Sequence, residues 1–142
     1  MNLNSDFIEK LRNSGLRPTK QRLKICEVLF NSEKTFHFTI NDLSKIISKK
    51  LIEKISLATI YNTVHAFKKK GYLKEISINS DKSYFDTNTS IHHHFYDEDT
   101  NELIDCSPND IDNINVKNNI TGKKIKSVEV LIKVASDNQN QN

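Results

Sequence analysis

Residues 56–76 read SLATIYNTVHAFKKKGYLKEI, and they contain the most informative secondary-structure pattern in the chain. It opens on Ser56, a residue type that caps helix N-termini, and it contains Gly71, which readily takes the left-handed conformation that ends a helix. Between them, apolar residues recur at spacings of three, four and three, as in a helix with one face on a core. They are Leu57, Ile60, Val64 and Phe67. The pattern predicts an amphipathic helix.

The other face of this helix carries small polar side chains. Tyr61 lies at its flank, and a run of three lysines begins at Lys68. Small polar groups can reach base edges in the major groove, while lysines contact phosphates. The small residues are Thr59, Asn62, Thr63 and Ala66. A solvated helix face has the same composition, so periodicity alone leaves DNA binding and simple solvation as two open interpretations.

A β-hairpin is predicted directly after this helix. Residues 73–78 alternate in polarity, residues 79–82 form a polar turn, and residues 83–86 return as a second strand. Helices in series followed by a hairpin are the order of a winged helix-turn-helix. We therefore predict a winged-helix DNA-binding domain over residues 1–88.

Three helical patterns precede residues 56–76. The first two cover residues 6–13 and 19–31. The third opens on a capping box of Thr39 and Asp42 and continues with Leu43, Ile46, Ile47 and Leu51. Basic residues lead into and line the second helix, which favours DNA binding because phosphate contacts need such placement. They are Arg12, Arg17, Lys20, Arg22 and Lys24.

The composition sets wider limits. An apolar share of 36% in 142 residues favours two small modules over one large core, and a net charge of +3 is too small to indicate nucleic-acid binding by itself. The sequence has no signal-peptide pattern and no apolar run of membrane-spanning length, so we predict a cytoplasmic protein without a membrane segment. Cys26 and Cys106 form no C-x-x-C pair and no disulfide framework.

The second half, residues 89–136, has the pattern of a small α/β module. A short helix through Ile114 is predicted, because Ser107, Pro108 and Asp110 form a helix-start pattern. A second helical turn is predicted at residues 116–120. Strands are predicted around Leu103 and over residues 123–135. An exposed strand edge favours pairing with a second copy, so we predict a homodimer.

The fold class that follows is α+β, with an N-terminal winged helix-turn-helix and a small α/β dimerisation domain. The polar tail, residues 137–142, is predicted to be disordered.

The stretch SIHHHFYDEDTNELID, residues 90–105, holds three consecutive histidines. In an extended chain His92 and His94 point to one face and His93 to the other. Two imidazoles are half of a metal site, and three further donors are available: His37, Asp86 and Asp105. A site that includes His37 joins the two halves of the chain, as a ligand-controlled switch requires. The alternative interpretation is a surface patch of histidines.

Catalytic motifs are missing from the sequence. There is no H-E-x-x-H helix, no G-x-S-x-G elbow and no Gly-rich phosphate loop, and Cys106 has no local context of an activated nucleophile. We predict that the protein is not an enzyme.

Three segments carry a family resemblance: GLRPTKQR (residues 15–22), residues 56–76, and YFDTNTSIHHHFYDEDTNELID (residues 84–105). Together they resemble the ferric uptake regulator family, and within it the iron response regulator branch, over residues 6–135. The resemblance implies a dimeric transcription regulator with a winged helix and a dimerisation domain.

For DNA binding, the resemblance makes Tyr61 a base contact and Arg17 a contact to the backbone or minor groove. Asn62 stands where the family usually has arginine, which favours adenine over guanine. The predicted DNA-binding residues are Arg17, Arg22, Ser56, Thr59, Tyr61, Asn62, Thr63 and Lys68.

For ligand binding, the resemblance places the family's regulatory metal set on His37, Asp86, His92, His94 and Asp105. A second, incomplete metal site falls on His93 and Asp112, and the four-cysteine zinc site of many relatives is missing. The resemblance to this branch implies heme binding, with His92, His93 and His94 as the candidate ligands. A thiolate-ligated heme is not expected, because the chain has no Cys-Pro motif.

The predicted function is an iron- or heme-responsive regulator of iron homeostasis genes that binds an A·T-rich operator as a dimer. One alternative is a sensor of divalent iron, manganese or zinc without a heme role. An alternative from a different class is a metal-buffering or metalloenzyme domain.

Overall fold

The computed structural model of the protein describes residues 3–50 and 54–137. Its elements in chain order are α1 (Leu3–Asn13), α2 (Lys20–Phe30), β1 (His37–Phe38), α3 (Ile40–Lys50), α4 (Leu57–Lys70), β2 (Lys74–Ser77), β3 (Ser83–Asp86), β4 (His94–Asp97), β5 (Glu102–Asp105) and β6 (Leu131–Val134). The chain divides into two compact units, the N-terminal unit Met1–Thr89 and the C-terminal unit Ser90–Asn142. The predicted helical position of Leu51 and the tail beyond Asp137 lie outside the described residues. No helix in the described part of the chain has the length and apolar character needed to cross a membrane.

The core of the N-terminal unit is built by all four helices and closed by strands β1 and β3. Leu11 of α1, Ile25 of α2, Leu43 of α3 and Phe67 of α4 are each fully buried. Phe38 and Phe85 belong to the same buried cluster. Burying one such side chain stabilises the fold by about 1.5–3 kcal/mol, so this cluster fixes where the surface of α4 lies.

Helix α4 forms as its sequence predicts. The Ser56 hydroxyl accepts the Thr59 N–H at 3.2 Å, and Gly71 ends the helix with a φ of 95°. Ile55 and Ile60, which flank the cap, are both in the buried cluster, as in a hydrophobic staple. Leu57 was predicted to face the core and is instead 51% exposed, because Ile55 supplies the apolar group at that end.

A Ser56→Ala variant tests this cap. Without the hydroxyl, the Thr59 N–H loses its partner, and we expect the free energy of unfolding to fall by about 1 kcal/mol. Urea unfolding followed by far-ultraviolet circular dichroism measures this change. Ser48→Ala, at an exposed position inside α3, is the matched control and should lose no stability. Equal stability losses in the two variants would show that the cap is not the cause.

The predicted hairpin is present as β2 and β3, with Lys74 opposite Asp86 and Ser77 opposite Ser83. Strand β1 pairs with the other side of β3, giving the order β1-β3-β2 and placing His37 opposite Asp86. The predicted capping box of α3 is also formed: Thr39 and Asp42 each accept the other's backbone N–H at 3.1 Å. The pairing of β1 with β3 therefore holds two predicted metal ligands, His37 and Asp86, side by side.

The C-terminal unit contains a three-stranded sheet in the order β5-β4-β6. Strands β4 and β5 are antiparallel, with His94 opposite Asp105, and β6 runs parallel to β4, with Leu131 opposite His94. Tyr96 and Leu103 are buried, and the Tyr96 hydroxyl donates to Asn101 at 2.9 Å. This register puts His94 and Asp105 on one face of the sheet.

The two helical segments predicted for the C-terminal unit are wrong. Residues 107–110 make a single turn, in which Ser107 N–H donates to the Asp110 carboxylate at 2.7 Å and the chain then continues without helix. The apolar side chains that should have packed are exposed, at 40% for Ile114 and 74% for Ile120. A short helix without a buried face is marginal in water, so the capping residues alone do not extend it. The predicted strand over residues 123–135 is likewise reduced to β6.

Candidate metal centre and DNA-binding surface

Three predicted metal ligands meet in the C-terminal unit. The Nε2 atom of His94 lies 3.1 Å from Asp105 Oδ1, and the Nε2 atom of His92 lies 3.6 Å from the same oxygen. The His92 and His94 rings are 4.3 Å apart. One ligand atom from each residue lies within 4.8 Å of the others, so small side-chain movements would bring all three donors onto one ion.

Hydrogen bonding prepares His92 for ligation. Its Nδ1 donates to the Ser90 carbonyl at 2.8 Å, so Nε2 is the ring nitrogen on the Asp105 side and the one that would bind an ion. The His94 side chain is only 4% exposed, whereas that of Asp105 is 54% exposed. The cluster thus has a buried imidazole on one side and an open carboxylate on the other. The predicted alternation that separates His93 from its neighbours is correct.

His93 has a structural role, which argues against its predicted use as a metal or heme ligand. Its Nδ1 accepts the Val130 N–H at 2.9 Å, so the ring proton is on Nε2. Its carbonyl accepts the Cys106 N–H at 2.9 Å. Binding an ion through Nε2 would break the contact that holds the chain entering β6. Within residues 3–50 and 54–137, no group of three or more metal-ligating side chains includes His93 or Asp112.

The other two predicted metal ligands lie in the N-terminal unit. His37 is opposite Asp86 in the β1·β3 ladder, and Asp86 is buried, with Oδ1 accepting the Asn88 N–H at 2.8 Å. Lys74 faces Asp86 from β2. Burial lowers the pKa of Lys74, and the negative charge of Asp86 offsets part of that effect. His37 and Asp86 are therefore neighbours, as a shared site requires.

The predicted DNA-binding residues lie mainly on the exposed ends of α2 and α4. Tyr61 is 52% exposed and Asn62 is also exposed. Arg22 donates through Nη1 to the Arg17 carbonyl at 2.9 Å. A shallow groove brings Arg22 and Thr59 to one surface beside the N-terminal turn of α2. Helix N-termini and arginines together favour phosphate binding.

One DNA-binding prediction, that of Thr63, is wrong. Thr63 is completely buried and its hydroxyl donates to the Thr59 carbonyl at 2.7 Å, so it cannot contact DNA. The buried face of α4 consists of Ile60, Thr63, Val64 and Phe67, so it includes Thr63 and excludes Leu57. Lys68 lies 3.3 Å from Glu75, which neutralises part of its charge, and its contact with DNA stays a prediction.

The two thiols have no reactive character in this fold. Burial raises the pKa of Cys26 to about 12. Burial and the nearby carboxylates of Asp110 and Asp105 raise the pKa of Cys106. A thiolate is the reactive form, so neither cysteine has the environment of a nucleophile or of a thiolate heme ligand.

We therefore expect Cys26 to resist alkylation in the folded protein. With a pKa of about 12, only about one Cys26 thiol in ten thousand is ionised near pH 8. Iodoacetamide followed by peptide mass spectrometry should label Cys106 slowly and leave Cys26 unlabelled, while urea should expose both. Labelling of Cys26 as fast as Cys106 without urea would contradict the burial.

The amino-acid sequence matches a known protein family over most of the chain. The sequence model of the Ferric uptake regulator family matches residues 13–134. The chain belongs to the ferric uptake regulator family. Among curated relatives, the peroxide operon regulator of Bacillus subtilis is 33% identical over 121 residues, 84% of this chain and 81% of that protein. The peroxide-responsive repressor PerR of Staphylococcus epidermidis is 36% identical over 100 residues, 70% of this chain and 65% of that protein, just under two thirds of its length.

Solved structures support the ferric uptake regulator fold. The regulator of Vibrio cholerae superposes with a TM-score of 0.65 at 25% identity, covering 91% of this chain and 98% of that one. The Pseudomonas aeruginosa regulator, solved with manganese, gives 0.66 at 22% identity, covering 96% and 98%. The α+β prediction is thus confirmed, with a helical N-terminal DNA-binding domain and a small C-terminal domain built on a sheet.

Family membership also bears on function. Ferric uptake regulators are metal-responsive, DNA-binding transcription regulators that act as dimers, and they are not enzymes. This confirms the family part of the resemblance and favours regulation over a metal-buffering or metalloenzyme domain. One of the relatives above is named a peroxide operon regulator and the other a peroxide-responsive repressor, so the iron response regulator branch and its heme response are not confirmed by them.

Proposed function

We propose that this protein is a homodimeric repressor or activator that senses a divalent metal ion through His92, His94 and Asp105 and reads DNA with α4. The observation that carries the proposal is the meeting of two imidazoles and a carboxylate within 4.8 Å. Nitrogen and oxygen donors of this kind suit Fe²⁺, Mn²⁺ and Zn²⁺. The metal-bound regulators of Pseudomonas aeruginosa, with manganese, and Francisella tularensis, with iron, share the fold.

We include His37 and Asp86 in the proposed ligand set. Both belong to the N-terminal unit, and they face each other across β1 and β3. An ion that takes ligands from both units ties the strands of the wing to the C-terminal sheet. Ligand affinity that differs between two arrangements of the units is what a metal-controlled switch requires.

The proposed DNA target is a pseudo-palindromic, A·T-rich operator. Asn62 is exposed on α4, and its amide can pair with both N6 and N7 of adenine. A dimer presents two such helices to two half-sites. Exposed apolar residues of the C-terminal sheet, Ile104 and Val134, are candidates for the dimer contact. The genes of iron homeostasis are the proposed targets.

A heme response of the iron response regulator type is the second candidate. It is favoured by His92, whose Nδ1 donates to the Ser90 carbonyl, because Nε2 is then the nitrogen for axial ligation. Three features favour an ion instead. His94 is buried, His92 packs 4.3 Å from it, and His93 is occupied by Val130. A porphyrin on His94 requires His92 to move, whereas an ion between the two rings and Asp105 does not.

One experiment separates these ligands. The operator is selected from random-sequence DNA by the protein with Mn²⁺, and again with hemin. Its affinity is then measured with Mn²⁺ alone, Fe²⁺ alone under anaerobic conditions, hemin alone, and Fe²⁺ followed by hydrogen peroxide. We expect Mn²⁺ and Fe²⁺ to change the affinity and hemin not to do so. A hemin effect with a Soret band that shifts in His92→Ala would establish the heme candidate, and reversal by peroxide only in the Fe²⁺ sample would establish a peroxide response. If no sample alters DNA affinity, the proposed function is wrong.

A further inference from the structure

His65 stacks on the proposed DNA-reading tyrosine. It follows Tyr61 by one helical turn on α4, and the two ring centroids are 4.0 Å apart at an interplanar angle of 40°. A side chain on a helix leans toward the N-terminus, so His65 covers the inner side of the Tyr61 ring. Tyr61 is 52% exposed, whereas His65 is half-buried.

The opposite side of His65 is fixed by the sheet. Its ring meets Phe85 of β3 edge-on, with centroids 5.3 Å apart at 79°. Phe85 is buried and stacks on Phe38 of β1 at 6.1 Å and 29°. The rings of Tyr61, His65, Phe85 and Phe38 thus form a continuous row from the exposed surface of α4 into the core.

We propose that His65 is a positioning residue that holds the Tyr61 ring in the orientation that contacts DNA. This inference rests on the proposed role of Tyr61. An exposed tyrosine without a support populates several rotamers, and ordering it on the DNA weakens binding. Phe85 holds the His65 ring in place, and the His65 ring in turn restricts the rotation of the Tyr61 side chain. The Tyr61 ring is therefore oriented before DNA binds.

A residue that only fills space makes a different prediction. A leucine at position 65 keeps most of the buried volume and removes the flat ring, whereas a phenylalanine keeps the ring and removes the nitrogens. If His65 only fills space, His65→Leu and His65→Phe should have similar operator affinities. If His65 positions Tyr61, only His65→Phe should preserve operator affinity.

The test uses full-length protein with Mn²⁺, the operator selected by the wild-type protein, and an unrelated duplex of equal length. We expect His65→Leu to bind the operator about 3- to 10-fold more weakly, the range that one aromatic pair supplies. Its affinity for the unrelated duplex should stay within about 2-fold, because phosphate contacts are unchanged. His65→Phe should bind the operator within about 2-fold of wild type.

A spectroscopic measurement is independent of DNA. The Tyr61 ring resonance, assigned with Tyr61→Phe in protein labelled at tyrosine, should lose its ring-current shift in His65→Leu and retain one in His65→Phe. Should His65→Leu fail to fold, His65→Gln, which also lacks an aromatic ring, takes its place in both measurements.

The outcomes separate this inference from the proposed function. If Tyr61→Ala leaves operator affinity unchanged, the proposed role of Tyr61 is wrong, and the positioning role is overturned with it. If Tyr61→Ala weakens binding but His65→Leu binds as wild type, only the inference about His65 is overturned. Equal weakening in His65→Leu and His65→Phe overturns it as well.

Discussion

Asp105→Asn should bind Mn²⁺ more than about 100-fold more weakly than the wild-type protein. Loss of a residue that merely orients a ligand costs about 10- to 100-fold in metal affinity, and Asp105 is itself a proposed ligand. Its Oδ1 lies 3.1 Å from His94 Nε2 and 3.6 Å from His92 Nε2, so the variant loses the charge at the centre of the cluster. Isothermal titration of protein stripped of metal measures the affinity.

Glu102→Gln is the matched control for this prediction. Glu102 is exposed on the same strand, opposite Asp97, and outside the His92–His94–Asp105 cluster. Both substitutions remove one negative charge, so a long-range electrostatic effect changes both variants alike. Metal affinity that falls equally in the two variants would remove the case for the cluster as the binding site.

The double variant Tyr61→Ala/Asn62→Ala should lose at least about 30-fold in affinity for the selected operator. A well-formed contact between a side chain and a base contributes about 1–3 kcal/mol to discrimination, and this variant removes two exposed groups of α4. Affinity for an unrelated duplex should change little, because the phosphate-binding basic residues remain. Fluorescence anisotropy at fixed salt concentration measures both affinities.

Thr63→Val provides the control, and it separates the structure from the sequence-based prediction. The Thr63 hydroxyl is buried against the Thr59 carbonyl, so valine replaces a group that DNA does not reach. Operator affinity should stay within about 2-fold of the wild type. A loss in Thr63→Val as large as in the double variant would show that position 63 is exposed to DNA.

Local chemistry is the part of this fold that the sequence predicts well. For α4, the cap at Ser56, the spacing of Ile60, Val64 and Phe67, and the left-handed Gly71 all specify the same helix, and the structure contains it. The capping box of Thr39 and Asp42 is correct for the same reason. Such signals involve residues within one or two helical turns of each other, so they do not depend on contacts with distant parts of the chain.

Features that depend on distant neighbours were predicted less well. Strand β1 has two residues and no pattern of its own, and it exists because β3 offers a free edge. The capping residues at 107–110 resemble a helix start, but no buried face supports a helix there. The role of His93 depends on Val130, which lies 37 residues away in sequence. Alternation correctly placed the His92 and His94 rings together, whereas the partner of His93 and the stacking of His65 could be found only in the structure.

We propose that an ion at His92, His94 and Asp105 controls DNA binding by α4. The most direct measurement is operator affinity, by anisotropy, with a chelator and with Mn²⁺, for wild type and Asp105→Asn. Coupling between sites is typically about 1–3 kcal/mol, so we predict an affinity change of about 10-fold or more in the wild type and none in Asp105→Asn. Wild-type affinity that is the same in both conditions, or an equal Mn²⁺ effect in Asp105→Asn, would contradict the claim.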